Sequence, residues 1–512
     1  MLSTSKLIPE ISVDNVPIDS IKLNEHVLEK KKREFMQGTV IGPGEFESER
    51  HFYPRVLNAT IHPLVSSFLH LGNDRVLTRY CHLNPQIDQS KLRELMFYKP
   101  KYFHWAGCDL FSVTTSSGQR QMIVIETNSC PSGQKSMPLL SENDEQGGYR
   151  VVIEKTFKSL IEKADPKLGG LAVLCDKNMM EASGYASVMA DVTKESVYLV
   201  EYVNHDSDPP VKWEDGVLFV RDCNKEWHSI RACFRYVTQK PWNRFPIHTK
   251  TLVLNDIVAC LSGGRNKAMA ARAYEFLNHE LEQSGLSVRV PETIRNVSKS
   301  EIPLWIDSFG GHGVLKVPYS NAGQGVYTIT NPEELNDFMK EDHHYDKFIV
   351  QSLVGNASWS SIQRAGKFYH VGTIPNRKNQ TFVTDMRMMI ASTDDGFVPV
   401  AIYARRARKP LLQNLSDDPD VTSWEMLGTN LSVKIGENEW TTESQRLLLM
   451  DRKDFNILGI GIDDLIDAYI QTILSVVAID KMSHRLMPNN KFDMELFSAL
   501  NPDEALLNEI KL

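Results

Sequence analysis

The chain has 512 residues, 42% of them apolar and 24% charged, with a formal net charge of -8 at pH 7. This length suggests about three domains with sizeable cores, and the acidic balance argues against a general nucleic-acid binder, which would more often be basic. There is no apolar run of bilayer-crossing length, no secretory apolar segment at the start, and no C-x-x-C pair among the seven scattered cysteines. A cytoplasmic protein with reduced thiols and no membrane or nucleic-acid partner is the expectation.

Residues 1–50 read as a polar arm, and its charge run Glu29 to Glu34 as a solvated helix face. Residues 51–145 read as a helical segment followed by a hairpin. Trp105 to Val113 and Gln121 to Asn128 predict its two strands, with a polar turn between them and Ser129-Cys-Pro-Ser-Gly133 as a breaker. Asp109 stands on one arm, Glu126 and Asn128 on the other. Two apart on a strand, the last two leave the same face. Three such oxygen donors suit Mg²⁺, which takes carboxylates, water and phosphate oxygens; an ordinary polar strand face is the plainer alternative.

Residues 146–262 alternate helix and strand, with strands at 170–174, 196–202, 217–220 and 230–236 and a helix at 179–194. That order predicts a small α/β domain with a partly parallel sheet. Arg235 could reach a substrate carboxylate, with a surface ion pair as its more ordinary role. Residues 263–350 form the next unit. Gly263-Gly-Arg-Asn-Lys267 opens a helix, and a cation at a helix start conflicts with the dipole, which suggests an anionic ligand. Val314, Leu315 and Val317 read as a buried strand with Lys316 pointing the other way. The tip Ser320, Asn321, Ala322, Gly323, Gln324 and Gly325 is small enough for backbone N–H groups to reach phosphate oxygens, unless it is a plain surface hairpin. It fits neither a Walker loop nor a dinucleotide fingerprint.

Residues 351–485 continue the pattern. The strand 347–355 could offer backbone groups around Gln351, Ser352 and Leu353 to a purine. Asp385 and Arg387 share a strand face, a second strand leads to Arg405 and Arg406, and Gly428-Thr-Asn430 follows. Residues 463–480 predict an amphipathic helix, and 486–512 a polar tail.

Taken together these segments resemble the ATP-grasp superfamily. Asn266-Lys267 before a helix, then Val290-Pro-Glu-Thr293, is similar to its first phosphate lysine. The run Val314 to Tyr327 resembles its second lysine strand and Gly-rich loop, and Phe348 to Gly355 its adenine-side strand. Asp385-x-Arg387, Arg405-Arg406 and Thr429-Asn430 follow the order of the glutamate-ligase branch. Gln351 departs from the pattern, since many relatives carry an acid there. That branch continues with Ala-Gly-x-Asp and Glu-x-Asn, but here both stand near the N-terminus, as Ala106-Gly-Cys-Asp109 and Glu126-Thr-Asn128. The chain therefore resembles the circularly permuted ATP-grasp group that includes glutathionylspermidine synthetases. An unpermuted reading would look for the metal site near Glu437 or Glu439.

The resemblance implies an α/β, circularly permuted ATP-grasp fold with a small α/β domain preceding its ATP lobe. It implies an ATP-dependent carboxylate–amine or thiol ligase working through an acyl phosphate, with small carboxylates and amines as substrates. Asp109, Glu126 and Asn128 would hold Mg²⁺, while Lys267, Lys316 and the loop would hold the ATP phosphates. Gln351, Ser352 and Leu353 would flank the base. Arg387, with Arg405 or Arg406, would bind the transferred phosphoryl group or the substrate carboxylate. Cys130 adjoins the metal strand, but nothing nearby in sequence activates it. A phosphotransferase on the same fold and a nucleotide-binding regulator are the alternatives.

Overall fold

The structure is a computed structural model that describes residues 38–141, 144–204, 206–237, 244–319, 325–418, 420–434 and 440–510. The charge run at 29–34, the loop residues Ser320, Asn321, Ala322, Gly323 and Gln324, and both Glu437 and Glu439 lie outside the described residues. The protein is α/β, built on three principal sheets.

The first sheet has seven strands. Gly170–Cys175 lies at its centre, parallel to Val197–Glu201 on one side and to Trp227–Tyr236 on the other. Gly170–Cys175 is an almost unbroken apolar run, as a strand covered on both faces must be, and the helix Met179–Thr193 packs against it. The short strands Val211–Glu214 and Leu252–Leu254 also belong here. Arg235 is neither at the surface nor open to a substrate, because its guanidinium is buried. It donates to the carbonyls of Asn255 at 2.8 Å, Val237 at 3.0 Å and Asp256 at 3.3 Å, tying the strand end to the next segment.

The second sheet is a separate lobe of four antiparallel strands in the order Thr293–Ser298, Lys347–Gln351, Gly313–Lys316, Val326–Ile329. Its small core gathers Ile302, Ile306, Leu315, Phe338, Phe348 and Val350, each such side chain stabilising by about 1.5–3 kcal/mol when buried. Strict alternation sends Leu315 into this core and both Val314 and Lys316 to the opposite side. Val314 thus shares the face of Lys316, contrary to the expectation from sequence.

The third sheet joins distant parts of the chain. Trp105–Thr115 pairs with Arg120–Ser129 on one side and with Thr384–Thr393 on the other, and Gly396–Arg406 and Leu447–Leu448 follow. Behind it runs the helix Ile462–Leu486, 25 residues long. From Ala468 to Asp480 every residue is buried. The helix is therefore enclosed on all sides there, not amphipathic as its apolar spacing suggested. Its one buried carboxylate, Asp480, accepts from the backbone N–H groups of Tyr102 at 2.8 Å and Phe103 at 2.9 Å, and from the Tyr98 hydroxyl at 2.8 Å. No helix among the described residues is long and apolar enough to cross a membrane.

Candidate functional site

A cavity of about 850 Å³ opens where the three sheets meet, within the size range of small-molecule sites. Its floor is one face of the third sheet, and the strand register decides which side chains reach it. Glu126 pairs with Asp109, Asp109 with Arg387, and Arg387 with Tyr403, so one row crosses four strands on a single face. Residues two positions away, Asn128, Asp385 and Arg405, extend that face, and all seven line the cavity. A β-bulge at Ile125 shifts the register between Asp109 and Leu110, and bulges commonly re-aim side chains at sites.

The row is electrostatically organised. Arg387 grips Asp109 with two parallel hydrogen bonds, Nε to Oδ1 at 2.6 Å and the second guanidinium nitrogen to Oδ2 at 2.7 Å. Arg405 reaches the same carboxylate at 2.9 Å and also holds Asp385. Burial works against ionisation of Asp109, but the two guanidinium groups outweigh it and hold the carboxyl well below the usual range. Arg387 and Arg405 are held protonated in return, against the pull of burial. Arg406 faces the other way, stacked 4.6 Å from the Phe382 ring centre. Of the two adjacent arginines, Arg405 is the one that lines the cavity.

Lys267 and Lys316 approach Glu126 from outside the sheet. Lys267 Nζ lies 3.2 Å from Glu126 Oε1, and Lys316 Nζ lies 3.4 Å from the carbonyl of the bulged Ile125. Burial raises the Glu126 carboxyl, but Lys267, joined by Arg265 and Lys316, outweighs it and leaves it lowered. Burial is also the main reason the Lys316 ammonium is pushed down to about 8, with Glu126 opposing and Lys267 assisting. Asn128 is buried, and its amide nitrogen is without a hydrogen-bond partner. Glu126 and Asn128 thus present a carboxylate and an amide to the cavity, a donor set that fits Mg²⁺ shared with phosphate oxygens. Asp109 is already clamped by two arginines. The grouping Asp222, Glu226 and His228 lies elsewhere, on a partly exposed turn whose hydrogen bonds it makes itself.

Toward the lobe the cavity wall is apolar, formed by Val314, Val326, Leu353, Val354, Leu427 and Trp424. Gln351, Ser352 and Leu353 line it. Their polar groups are partly engaged: Ser352 N–H donates to the Glu292 carbonyl at 2.8 Å, Leu353 N–H to Ser361 Oγ at 2.7 Å, and Gln351 Nε2 to Thr293 Oγ1 at 2.8 Å. Cys130 has a left-handed φ of 52° and turns the chain out of the strand Arg120–Ser129. Its thiol donates to the Arg235 carbonyl at 2.8 Å, and burial raises its pKa, so it lacks the thiolate character of a nucleophile. Gly325, at the end of the Gly-rich tip, has φ 67° and accepts from Val317 N–H at 2.7 Å.

Three further cations line the cavity where the first sheet borders it, namely Lys135, Lys177 and Arg265. They are far apart in sequence, and no motif links them, although Arg265 lies within the segment Gly263 to Lys267. Lys177 alone had a readable signal: it follows the carboxyl end of the central parallel strand Gly170–Cys175, where open α/β sheets gather ligands.

No protein-family model matches the sequence, and no curated protein matches it. Among solved structures the chain is similar to a glutathione synthetase-like effector from Globodera pallida, at 11% identity and a TM-score of 0.38, covering 78% of this chain and 97% of that one. It is also similar to a RimK domain ATP-grasp protein from Sphaerobacter thermophilus, at 16% identity and a TM-score of 0.26, covering 45% of this chain and 89% of that one. At such scores the superposition is too loose to transfer the role of any residue.

Proposed function

We propose that the protein is an ATP-dependent ligase that joins a carboxylate to an amine on a circularly permuted ATP-grasp fold. The observation that carries this reading is the convergence of Lys267 and Lys316 on Glu126, at the end of a row that continues through Asp109 to Arg387. Two lysines beside one carboxylate and one amide match the needs of a phosphate chain and its metal. The pairing of Trp105–Thr115 with Thr384–Thr393 supports the permuted order, since it sets the Glu-x-Asn strand in one sheet with the arginine strands.

In this reading the apolar wall takes the base, and Lys267 and Lys316 take the phosphate chain. Mg²⁺ held by Glu126 and Asn128 would neutralise charge on the transferred phosphoryl group. Arg387 and Arg405, already fixed by Asp109 and Asp385, present guanidinium N–H groups to the substrate carboxylate at no cost of ordering. A carboxylate oxygen attacks the γ-phosphorus and ADP leaves. The amine then attacks the acyl carbon, phosphate leaves, and the amine proton passes to solvent. No side-chain nucleophile is required, in keeping with the protonated Cys130.

The test is product analysis with Mg-ATP and pooled carboxylic acids and amines. Free phosphate together with a new amide supports the ligase. A phosphorylated small molecule would move the assignment to a phosphotransferase, and nucleotide binding without turnover in any pool would move it to a regulator.

A further inference from the structure

Six cationic side chains line the cavity, against three acids. The acids Asp109, Glu126 and Asp385 are paired with Arg387, Arg405 and Lys267. This leaves the border with the first sheet strongly positive, in a chain whose net charge is -8.

Lys177 is the centre of that region. It makes no hydrogen bond or ion pair among the described residues, and its charged neighbours are Arg265, Arg387 and Lys135, with Asp176 as the one acid. Asp176 offsets these cations in part, and its buried carboxylate is also held by Arg244 at 3.0 Å. Burial first, then these cations, push the Lys177 ammonium down to about 8. Lys135 is pinned in place: Glu181, fully buried on the helix Met179–Thr193, accepts from the backbone N–H groups of Gly133 at 2.7 Å and Lys135 at 3.2 Å. Lys135 Nζ lies 3.4 Å from Asn178 Oδ1. Arg265 is buried and oriented by the carbonyls of Ser129 at 3.2 Å and Cys130 at 3.4 Å. Just before it, Gly263 has φ 147°, and a Cβ there would come within 2.8 Å of Ile479. Glu181 compensates Lys135, whose ammonium is held raised against burial, whereas around Lys177 the cations outweigh Asp176, and gathering them there is unfavourable unless an anion relieves it.

We propose that Lys135, Lys177 and Arg265 bind a second anionic group of the acceptor-side substrate, so that the substrate carries at least two negative charges. The inference rests on the ligase reading for the first of those groups, the carboxylate at Arg387 and Arg405. The second is centred on Lys177 and Lys135 at the border of the small domain, with Arg265 between them and the side of Lys267 and Lys316. Carboxylate and phosphate share the required chemistry, and the guanidinium of Arg265 suits either.

The experiment is lysine acetylation of the full chain near neutral pH, read residue by residue by peptide mass spectrometry. The probes are tricarballylate, glutarate, inorganic phosphate, butyrate and a non-hydrolysable Mg-ATP analogue. Tricarballylate or glutarate should slow Lys177 acetylation about tenfold, with butyrate nearly inert. A stronger effect of inorganic phosphate would assign the second group as a phosphate. The nucleotide should protect Lys267 and Lys316 but leave Lys177 reactive. The proposal is overturned if tricarballylate, glutarate and phosphate all leave Lys177 unprotected, or if the nucleotide alone protects it. Nucleotide protection of neither Lys267 nor Lys316 would instead overturn the ligase reading, while an anion effect at Lys177 would stand. Lys177→Met should weaken tricarballylate binding about tenfold in calorimetry without lowering thermal stability, and Lys177→Arg should restore part of it. Equal binding by wild type and Lys177→Met would also overturn the proposal.

Discussion

Along the sheet floor Asp109, Asp385, Arg387 and Arg405 form a closed group in which each carboxylate meets a guanidinium. At the border with the first sheet Lys177 faces chiefly other cations. Both regions are cationic side chains on a buried wall, yet their energetics differ. On the floor the ion pairs fix geometry: breaking one leaves a charge stranded in a dry place. At the border the strain is already present, and a ligand would relieve it. Glu126 stands between the two cases, since Lys267 faces it, a charged group that on the ligase reading would exchange its partner for a metal and phosphate.

This contrast can be broken at several points. The largest effect is expected at Glu126. Glu126→Gln keeps the shape and loses the charge, so turnover should fall about 10³-fold while ATP affinity changes far less, as separate kcat and nucleotide-binding measurements would reveal. A variant with near-normal kcat would remove Glu126 from the metal site. Next comes Asp109→Asn, which strands the Arg387 guanidinium and leaves Arg405 with Asp385 alone. Chemical denaturation should register a loss of about 3–5 kcal/mol, and a well-folded Asp109→Asn protein of normal stability would show that the floor is not held by these pairs.

Lys316→Met should weaken ATP binding by about 1.5–3 kcal/mol in calorimetry. Stability should hold or rise, because a buried ammonium with a lowered pKa disfavours the fold below its unfolded pKa. That penalty is fully present below about 8 and fades as pH rises through the folded value toward the unfolded one. The same lowered value predicts that ATP affinity drops above pH 8, by about tenfold per unit, as Lys316 must take up a proton to bind phosphate. A flat affinity profile across that range, or one unchanged by Lys316→Met, would count against it. The smallest effect belongs to Arg406→Ala, which loses a stacking contact with Phe382 worth about 0.5–1 kcal/mol and should leave kcat within about twofold of normal.

The floor of the site was legible because strands announce their faces. Alternation located Asp109, Glu126, Asn128, Asp385 and Arg387, and their convergence is a matter of register. The choice between Arg405 and Arg406 needed that register too, since adjacent residues on a strand point to opposite faces and only the pairing decides which is inward. Lys135 and Arg265 were not legible, and Lys177 only as a residue just after the carboxyl end of a parallel strand: each comes from a different connection, and no periodicity links a turn, a strand end and a helix approach. Arg235 was misread for a related reason. Its burial depends on carbonyls at Asn255 and Asp256, some twenty residues on, which local sequence does not announce. The enclosed helix Ile462–Leu486 kept enough polar residues to look two-sided, but Gln471, Thr472, Ser475 and Asp480 are all buried, with Thr472 and Ser475 bonded back to their own helix.

The joining of Trp105–Thr115 to Thr384–Thr393 also sets a timetable. The contact between Asp109 and Arg387 spans 278 positions, and pairings that close such long intervals form late. On a ribosome making about 5–20 residues per second, the first hairpin would wait roughly 15–55 s for its partner strand. Throughout that interval the edge of Trp105–Thr115 that will meet Thr384–Thr393 is bare, the condition in which strands find wrong neighbours. Nascent chains halted before Thr384 should therefore cross-link to holdase chaperones through residues 105–115, and release them once Arg406 has emerged and the sheet can close.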